Sequence, residues 1–275
     1  MQDLEGKVAV ITGGGSGIGR GMALAFGEAG MKIVVAEIDA KAAEAMVVEL
    51  AEKGVEAVAE HVDVIDRESV RALADRVYDR FGAVHVLCNN AGVTTWGTLD
   101  SIPEIDFDWV MKVNLDGVLN GLLVFVPRMA QQAGEKHVVN TASTAALGGM
   151  ASLGHYVASK HAVLGISETL ALEGEAYGLG CSVLCPGATN TGIVKATRNR
   201  PDAFGGADDE FNPLVQAVIE AGFDPEETGR MVRDSVIDDD LYIFTHTESR
   251  DSIETRYQAM MAAQEKAEKR LAGGG

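Results

Sequence analysis

The feature of this sequence that most constrains its fold is a regular alternation of short apolar runs with longer amphipathic stretches. It begins with an apolar run at residues 7–12, helical spacing at 18–29, a second apolar run at 32–37 and helical spacing at 41–53. The apolar runs contain no polar alternation, as expected when helices cover both faces of a parallel sheet. The sequence therefore predicts an α/β fold built on a single doubly wound parallel sheet.

The same alternation continues along the chain. Further strands are predicted at 56–62, 84–88, 137–141, 182–185 and 241–244, and helices at 67–81, 107–132, 155–177, 214–221, 225–237 and 250–271. Residues 186–212 are instead rich in Gly, Pro, Asn and Asp, which is typical of a loop. We predict one catalytic domain over residues 1–275, with a small substrate lid at about 187–222 and a C-terminal helical tail at about 249–275.

Composition and charge exclude several classes of function. The 275 residues carry a net charge of -18, from 23 basic and 41 acidic side chains, which repels nucleic acid and anionic membranes. The sequence has no run of eighteen apolar residues, and its first five residues lack the features of a secretory signal. We therefore expect a cytoplasmic protein with a small-molecule substrate and with neither a nucleic-acid nor a membrane partner.

The cysteines and other potential ligands do not predict a metal centre. Cys88, Cys181 and Cys185 form no C-x-x-C pair, and two of them fall in predicted strands, so buried reduced thiols are expected. No group of His, Cys, Asp and Glu has the spacing of metal ligands. No metal is predicted.

A glycine-rich turn follows the first predicted strand. Residues 12–19 read Thr-Gly-Gly-Gly-Ser-Gly-Ile-Gly and lead directly into a helix. Glycine permits positive φ, and the backbone N–H groups of a helix N-terminus attract a pyrophosphate. Strand, turn and helix stand in the order that dinucleotide binding needs, although such a turn taken alone is also compatible with a purely structural role.

Glu37 stands at the end of the second predicted strand, twenty residues after Gly17. A carboxylate at this place accepts hydrogen bonds from both hydroxyls of an adenosine ribose and opposes a 2′-phosphate. Ile38 and Ser16 occupy the positions where a compensating Arg or Lys would be needed. NAD is therefore predicted rather than NADP, and the alternative for Glu37 is a solvated charge at a strand end.

Six features of the sequence, in this order and spacing, resemble the short-chain dehydrogenase/reductase family. They are the turn at 12–19, Asp63-Val64, Asn89-Asn90-Ala91-Gly92, Asn114, the set Ser143…Tyr156-x-x-x-Lys160, and Pro186-Gly187 with Thr191. The resemblance implies a Rossmann fold, hydride transfer between NAD and an alcohol or ketone, and an assembly on the long helices that contain Asn114 and Tyr156. We accordingly expect a homotetramer or a homodimer.

The resemblance also implies a set of cofactor contacts. These are Gly13, Ser16, Gly17, Ile18 and Gly19 in the turn, Glu37 on the ribose, Asp63 and Val64 at the adenine, Asn90, Ala91 and Gly92 along the cleft, and Pro186, Gly187, Thr189 and Thr191 at the nicotinamide, with Tyr156 and Lys160. For Asn90, a role in shaping the turn alone stays open.

Four residues form the expected catalytic set. Oxidation of a carbinol requires a base for the hydroxyl proton, and Lys160, one helical turn after Tyr156, would lower the pKa of that phenol. The resemblance assigns Tyr156 as the base, Ser143 as a donor to the substrate oxygen, and Asn114 as the holder of a water that links Lys160 to solvent. For Asn114, a helix kink or an interface contact stays open.

Apolar side chains are predicted to line the substrate pocket, and they indicate an apolar or aromatic secondary alcohol. They are Trp96, Ala145, Met150, Leu153, Ile193 and Phe204. Secondary features, including Phe107-Asp108-Trp109, residues 124–129 and Asn199-Arg200-Pro201, resemble bacterial NAD-dependent dehydrogenases of lignin-derived aryl alcohols. Terpenoid, steroid and small ring alcohols stay open.

The alternative to an enzyme is that the protein is a non-catalytic NAD-binding sensor or scaffold. Such a protein would need the nucleotide site but none of the reactive side chains. The sequence keeps Asn114, Ser143, Tyr156 and Lys160 together, and this favours turnover.

Overall fold

A computed structural model describes residues 1–207 and 213–272 of the chain. Seven parallel strands form one sheet in the order β3-β2-β1-β4-β5-β6-β7. The strands are β1 (Val8–Thr12), β2 (Lys32–Glu37), β3 (Ala57–His61), β4 (Val86–Asn89), β5 (Lys136–Thr141), β6 (Leu179–Cys185) and β7 (Tyr242–Phe244). The predicted α/β class with one doubly wound parallel sheet is confirmed.

Helices cover both faces of this sheet. They are α1 (Gly17–Glu28), α2 (Ala40–Glu52), α3 (Arg67–Phe81), α4 (Glu104–Met111), α5 (Gly117–Met129), α6 (Gly154–Gly174), α7 (Pro213–Glu220), α8 (Pro225–Asp238) and α9 (Ser249–Ala272). Helices α1, α2 and α8 pack on one face and share one hydrophobic core, whereas α3, α5 and α6 pack on the other. Each face therefore has its own core.

The central strand β1 explains the missing polar alternation in the sequence. Val8 and Val10 belong to the core under α3, α5 and α6, while Ala9 and Ile11 belong to the core under α1, α2 and α8. Successive side chains of a strand point to opposite faces, so both sets must be apolar. All four residues are buried.

The long helix predicted at 107–132 is interrupted in the structure. It begins at Glu104 as α4, widens to a π-helix at Lys112–Asp116, and continues as α5. A π-helix inside an α-helix accommodates a local distortion and often occurs at functional sites. By length and composition, the stretch Glu104–Met129 could cross a membrane, but 56% of its most apolar window is buried inside the protein, as in an ordinary core helix.

The region predicted as a loop after β6 contains short 3₁₀ helices at Gly192–Asn199 and Asp202–Phe204. We call residues 192–206 the lid segment. The predicted lid at 187–222 and tail at 249–275 each extend over positions, 208–212 and 273–275, that lie outside the described residues. The described part of the tail is the helix α9, which is exposed from residue 250 to 272.

Candidate active site

A cavity of about 430 Å³ lies at the carboxyl ends of the strands, beside the point where the strand order reverses between β1 and β4. Ligands of open α/β sheets bind at such a switch point. Most of the predicted site residues lie on the cavity wall. They are Gly13, Ser16, Gly17, Ile18, Glu37, Asp63, Val64, Asn90, Ala91, Gly92, Trp96, Ser143, Ala145, Met150, Leu153, Tyr156, Lys160, Pro186, Gly187, Thr189, Thr191 and Ile193.

The glycine turn forms one end of the cavity, which we call the cofactor end. Gly13 and Gly17 have φ of 65° and 52°, a region that favours glycine. Gly19 is not on the wall, because it packs inside the turn: an added Cβ would lie 2.1 Å from the carbonyl oxygen of Gly13. Its contribution to the site is the close packing of α1 on the turn.

The carboxylate of Glu37 is fixed at the end of β2. It accepts hydrogen bonds from the backbone N–H groups of Gly15 at 3.2 Å, Ile38 at 2.9 Å and Asp39 at 3.3 Å, and the residue is only 7% exposed. These bonds hold the carboxylate in one orientation. The wall of the cofactor end thus carries a negative charge in a defined place.

Asn90 links two strand ends while it lies on the cavity wall. Its Nδ2 donates to the carbonyl oxygen of Thr12 at 3.0 Å, and its Oδ1 accepts from the hydroxyl of Thr141 at 3.3 Å. The side chain therefore joins the end of β1 to the end of β5. A scaffolding role and a place on the wall occur together in this residue.

Tyr156 and Lys160 lie on α6 and face the same cavity. The Nζ atom of Lys160 lies 5.6 Å from the centre of the Tyr156 ring and donates a hydrogen bond of 2.8 Å to the carbonyl oxygen of Thr141. Burial lowers the pKa of Lys160 to about 8. The ammonium is thus available at neutral pH beside the phenol.

The pKa of Tyr156 differs from the expectation drawn from the sequence. Burial raises the pKa of Tyr156 above its ordinary value, and the neighbouring Ser143 hydroxyl acts in the opposite direction. In the protein alone the net direction is therefore opposite to the expected lowering of this pKa, because desolvation of the phenolate outweighs the hydrogen bond of Ser143.

Ser143 is held at the end of β5 by a short 3₁₀ helix. Its Oγ accepts a hydrogen bond from the backbone N–H of Ala145 at 3.1 Å and donates a long one, 3.4 Å, to the carbonyl oxygen of Pro186. The first bond fixes the position of the hydroxyl, and the second is weak enough to be exchanged for another acceptor.

Asn114 lies in the π-helix and is fully buried, so it is not on the cavity wall. Its Oδ1 accepts from the N–H of Val93 at 2.8 Å, and its Nδ2 donates to the carbonyl oxygen of Val93 at 2.9 Å and to the hydroxyl of Ser159 at 3.2 Å. The amide therefore fixes the loop after β4 against α6. An added Cβ on Gly92 would lie 3.5 Å from the Nζ of Lys160, so this loop passes close to the ammonium.

Apolar side chains surround the opposite end of the cavity, which we call the substrate end. Of the predicted residues, Phe204 is not on the wall, because it packs from behind against a cluster around Trp109. The wall also contains apolar residues that were not predicted from the sequence, among them Trp109, Val113, Ala196, Val215, Val218 and Ile219. The spacing of the last three, at i, i+3 and i+4, is the signal that could have identified them as one face of α7.

His155 and His161 are the neighbours of Tyr156 and Lys160 on α6. Neither histidine is among the described residues that line the cavity. The Nε2 of His155 lies 2.9 Å from the hydroxyl of Thr95, and burial lowers the pKa of this histidine. The Nδ1 of His161 lies 2.9 Å from the carbonyl oxygen of Val157. Both side chains contact the surrounding structure, as expected from their helical directions.

Comparison with known sequences identifies the relatives of this chain. The profile of the family described as short chain dehydrogenase matches residues 7–202. A C alpha-dehydrogenase from Sphingobium sp. (strain NBRC 103272 / SYK-6) is 38% identical over 266 residues, which cover 95% of this chain and 87% of the relative.

Solved structures with the same fold include one with a dinucleotide. A short chain dehydrogenase/reductase from Burkholderia phymatum in complex with NAD has a TM-score of 0.90 and 37% identity, covering 96% of this chain and 97% of the other. The apo form of LigD from Sphingobium sp. strain SYK-6 has a TM-score of 0.81 and 35% identity, covering 94% of this chain and 98% of the other.

Proposed function

The chain belongs to the short-chain dehydrogenase family of oxidoreductases, and from this premise we propose that it transfers a hydride between NAD and an apolar or aromatic secondary alcohol or ketone. One observation carries the proposal. A single cavity joins the glycine turn and Glu37, at one end, to Ser143, Tyr156 and Lys160, at the other. A nucleotide and an alcohol bound in this cavity would share one enclosed space.

The residues at the cofactor end fit NAD. Gly13 and Gly17 adopt the positive φ that lets a backbone approach a pyrophosphate, beside the N-terminus of α1. Glu37 offers the remaining lone pairs of a fixed carboxylate to ribose hydroxyls and opposes a 2′-phosphate. When bound, NAD would accept the hydride from the carbinol carbon.

Tyr156 would take the hydroxyl proton of the alcohol. The raised pKa of Tyr156 disfavours the phenolate in the protein alone, so its ionisation depends on the positive charge of Lys160 and on any further charge brought near it. Ser143 would donate to the substrate oxygen in place of its long bond to Pro186. Asn114 would keep the loop at Gly92 close to Lys160, and its role in holding a linking water is part of this proposal.

The substrate end favours an apolar or aromatic partner for this chemistry. Trp96, Trp109, Met150 and Leu153 line it, and aromatic side chains pack well against aromatic rings. The similarity to a C alpha-dehydrogenase supports an aryl alcohol. Terpenoid, steroid and small ring alcohols are the alternative substrates.

We further propose that residues 1–275 act as one domain, in the cytoplasm, as a homotetramer or homodimer. The three buried free thiols support a reducing compartment. Helices α5 and α6 present exposed Leu123 and Leu172, which a partner subunit would cover. Light scattering of the purified protein measures the assembly.

The experiment that tests the function follows NAD reduction by the absorbance of the nicotinamide, with a panel of aryl, terpenoid and steroid alcohols. Tyr156→Phe should reduce kcat/KM at least about a hundredfold, because the base is removed. Tyr177→Phe, in the short helix that follows α6, is the matched control and should leave it unchanged. Full activity in Tyr156→Phe would refute the assigned base, and NAD binding without any turnover would favour the sensor.

A further inference from the structure

A buried ion pair joins the lid segment to α4. The guanidinium of Arg200 bonds to the carboxylate of Asp106, and their side chains are only 9% and 17% exposed. Among the ion pairs that the described residues form, no other has both side chains below one-fifth exposure. The contact bridges 94 positions of sequence, so it fixes two distant segments relative to each other.

The same guanidinium lies over the ring of Trp109, with its Cζ 5.2 Å from the ring centre. Trp109 is 2% exposed and forms part of the wall at the substrate end. It belongs to a small core with Val110 and Ala196, against which Tyr156 and Phe204 also pack. Arg200 is not among the described residues that line the cavity. It therefore contacts Trp109 on the side away from the cavity.

Stability alone does not account for this arrangement. Removing two charges from water is unfavourable, and replacing a buried ion pair by apolar side chains is often neutral or stabilising. In addition, the Nε of Arg200 is buried without a hydrogen-bond partner among the described residues. What the pair supplies is geometry, because a planar guanidinium satisfies Asp106 and stacks on Trp109 only in one position of the lid segment.

We propose that Arg200 and Asp106 are positioning residues that hold Trp109 and the lid segment as one wall of the substrate end. The kinetic consequence rests on the proposed function, whereas the effect on Trp109 does not. Because Arg200 contacts the wall through Trp109 at the substrate end, loss of the pair should weaken alcohol binding and leave the cofactor end intact.

The first experiment separates alcohol binding from NAD binding. Arg200→Met removes the guanidinium, leaves Asp106 buried and unpaired, and should raise the KM of the alcohol roughly tenfold or more, with the Kd of NAD changed less than twofold. Arg200→Lys keeps the charge but loses the planar stack, so it should also raise KM. The double variant Arg200→Met/Asp106→Leu removes both charges and should have a lower KM than Arg200→Met alone.

The second experiment measures the fluorescence emission of Trp109, which forms part of the wall. The chain has two tryptophans, so in a Trp96→Phe background the emission of Trp109 is seen alone. Arg200→Met should shift this emission relative to the same background with Arg200. Arg230→Met is the matched control, because Arg230 forms an exposed ion pair with Glu227 on α8 and should change neither the emission nor any KM.

The outcomes are distinguishable. Arg200→Met that matches Arg230→Met in alcohol KM and in Trp109 emission would overturn the proposal. A parallel loss of NAD and alcohol affinity with unchanged emission would also overturn it, because it indicates general destabilisation. If the unmodified protein oxidises no alcohol, the proposed function fails, and the Trp109 emission still decides whether the pair positions the wall.

Discussion

The two ends of the cavity are built in different ways. The cofactor end consists largely of backbone: a turn with positive φ at Gly13 and Gly17, and a carboxylate at Glu37 that three N–H groups hold. The substrate end consists of side chains from the loops after β4 and β5, from α4, from the lid segment and from α7, and the Arg200–Asp106 pair joins α4 to the lid segment. Backbone geometry follows from local sequence, whereas a side-chain wall depends on contacts between distant segments.

Lys160, on the wall of the same cavity beside Tyr156, should give the largest effect. Lys160→Met should reduce kcat at least about a thousandfold, since the charge beside the base is lost. It should also raise the free energy of unfolding at pH 7 by about 1–3 kcal/mol, because burial lowers the folded-state pKa to about 8 from an ordinary 10.5.

The sign of this stability effect fixes its pH dependence. Between pH 8 and 10.5 the unfolded chain binds the proton of Lys160 more tightly than the folded protein does, so its unfavourable contribution is full below pH 8 and disappears as the pH rises. The gain of Lys160→Met should therefore shrink toward pH 10 in chemical denaturation. A variant less stable than the parent at pH 7 would contradict the burial of an uncompensated charge.

The backbone character of the cofactor end is tested at Gly19. Gly19→Ala places a Cβ against the carbonyl oxygen of Gly13 and should raise the Kd of NAD about a hundredfold, because the turn must shift. Calorimetric titration with NAD measures this Kd. Gly165→Ala in α6 is the control, since an added Cβ there meets no described atom within 4 Å, and it should leave the Kd unchanged. Equal NAD affinities of Gly19→Ala and the parent protein would mean that the turn does not hold the nucleotide.

The charge at the cofactor end is tested at Glu37. Glu37→Gln keeps the shape but removes the charge, and should lower the ratio of NADP to NAD Kd about tenfold, the size of one charge-assisted hydrogen bond. Glu44→Gln, on the following helix, is the matched control and should leave the ratio unchanged. A parent protein that prefers NADP would reverse the role assigned to Glu37.

The smallest effect is expected at the substrate end. Met150 is 49% exposed, so Met150→Ala should change the KM of an apolar alcohol only about threefold and leave the Kd of NAD unchanged. The alcohols in the panel should be affected unequally, because the wall contacts them directly. An equal change in the KM of every alcohol and in the Kd of NAD would show that the two ends of the cavity are not independent.

Sequence reasoning succeeded where one segment determines its own structure. The bounds of β2 and α3 were predicted without error, because an apolar run or a capped amphipathic stretch ends them locally. A kink at Asn114 stayed open in the sequence, but the π-helix at Lys112–Asp116 was not predicted, and the contact of Asn114 with Val93 lies twenty-one positions away, beyond what a local pattern can indicate. Phe204 and Trp109 were misjudged for the same reason: the fold decides which of two apolar side chains reaches the cavity.

The pairing of Asn114 with both backbone atoms of Val93 has a consequence for redesign. These two hydrogen bonds fix the backbone at Val93, directly after Gly92. The loop between Val93 and the start of α4 therefore begins at a fixed point. Exchanging that stretch should retune which alcohol is accepted without disturbing the machinery around Lys160. The Asn114 amide thus marks where a stretch open to redesign begins.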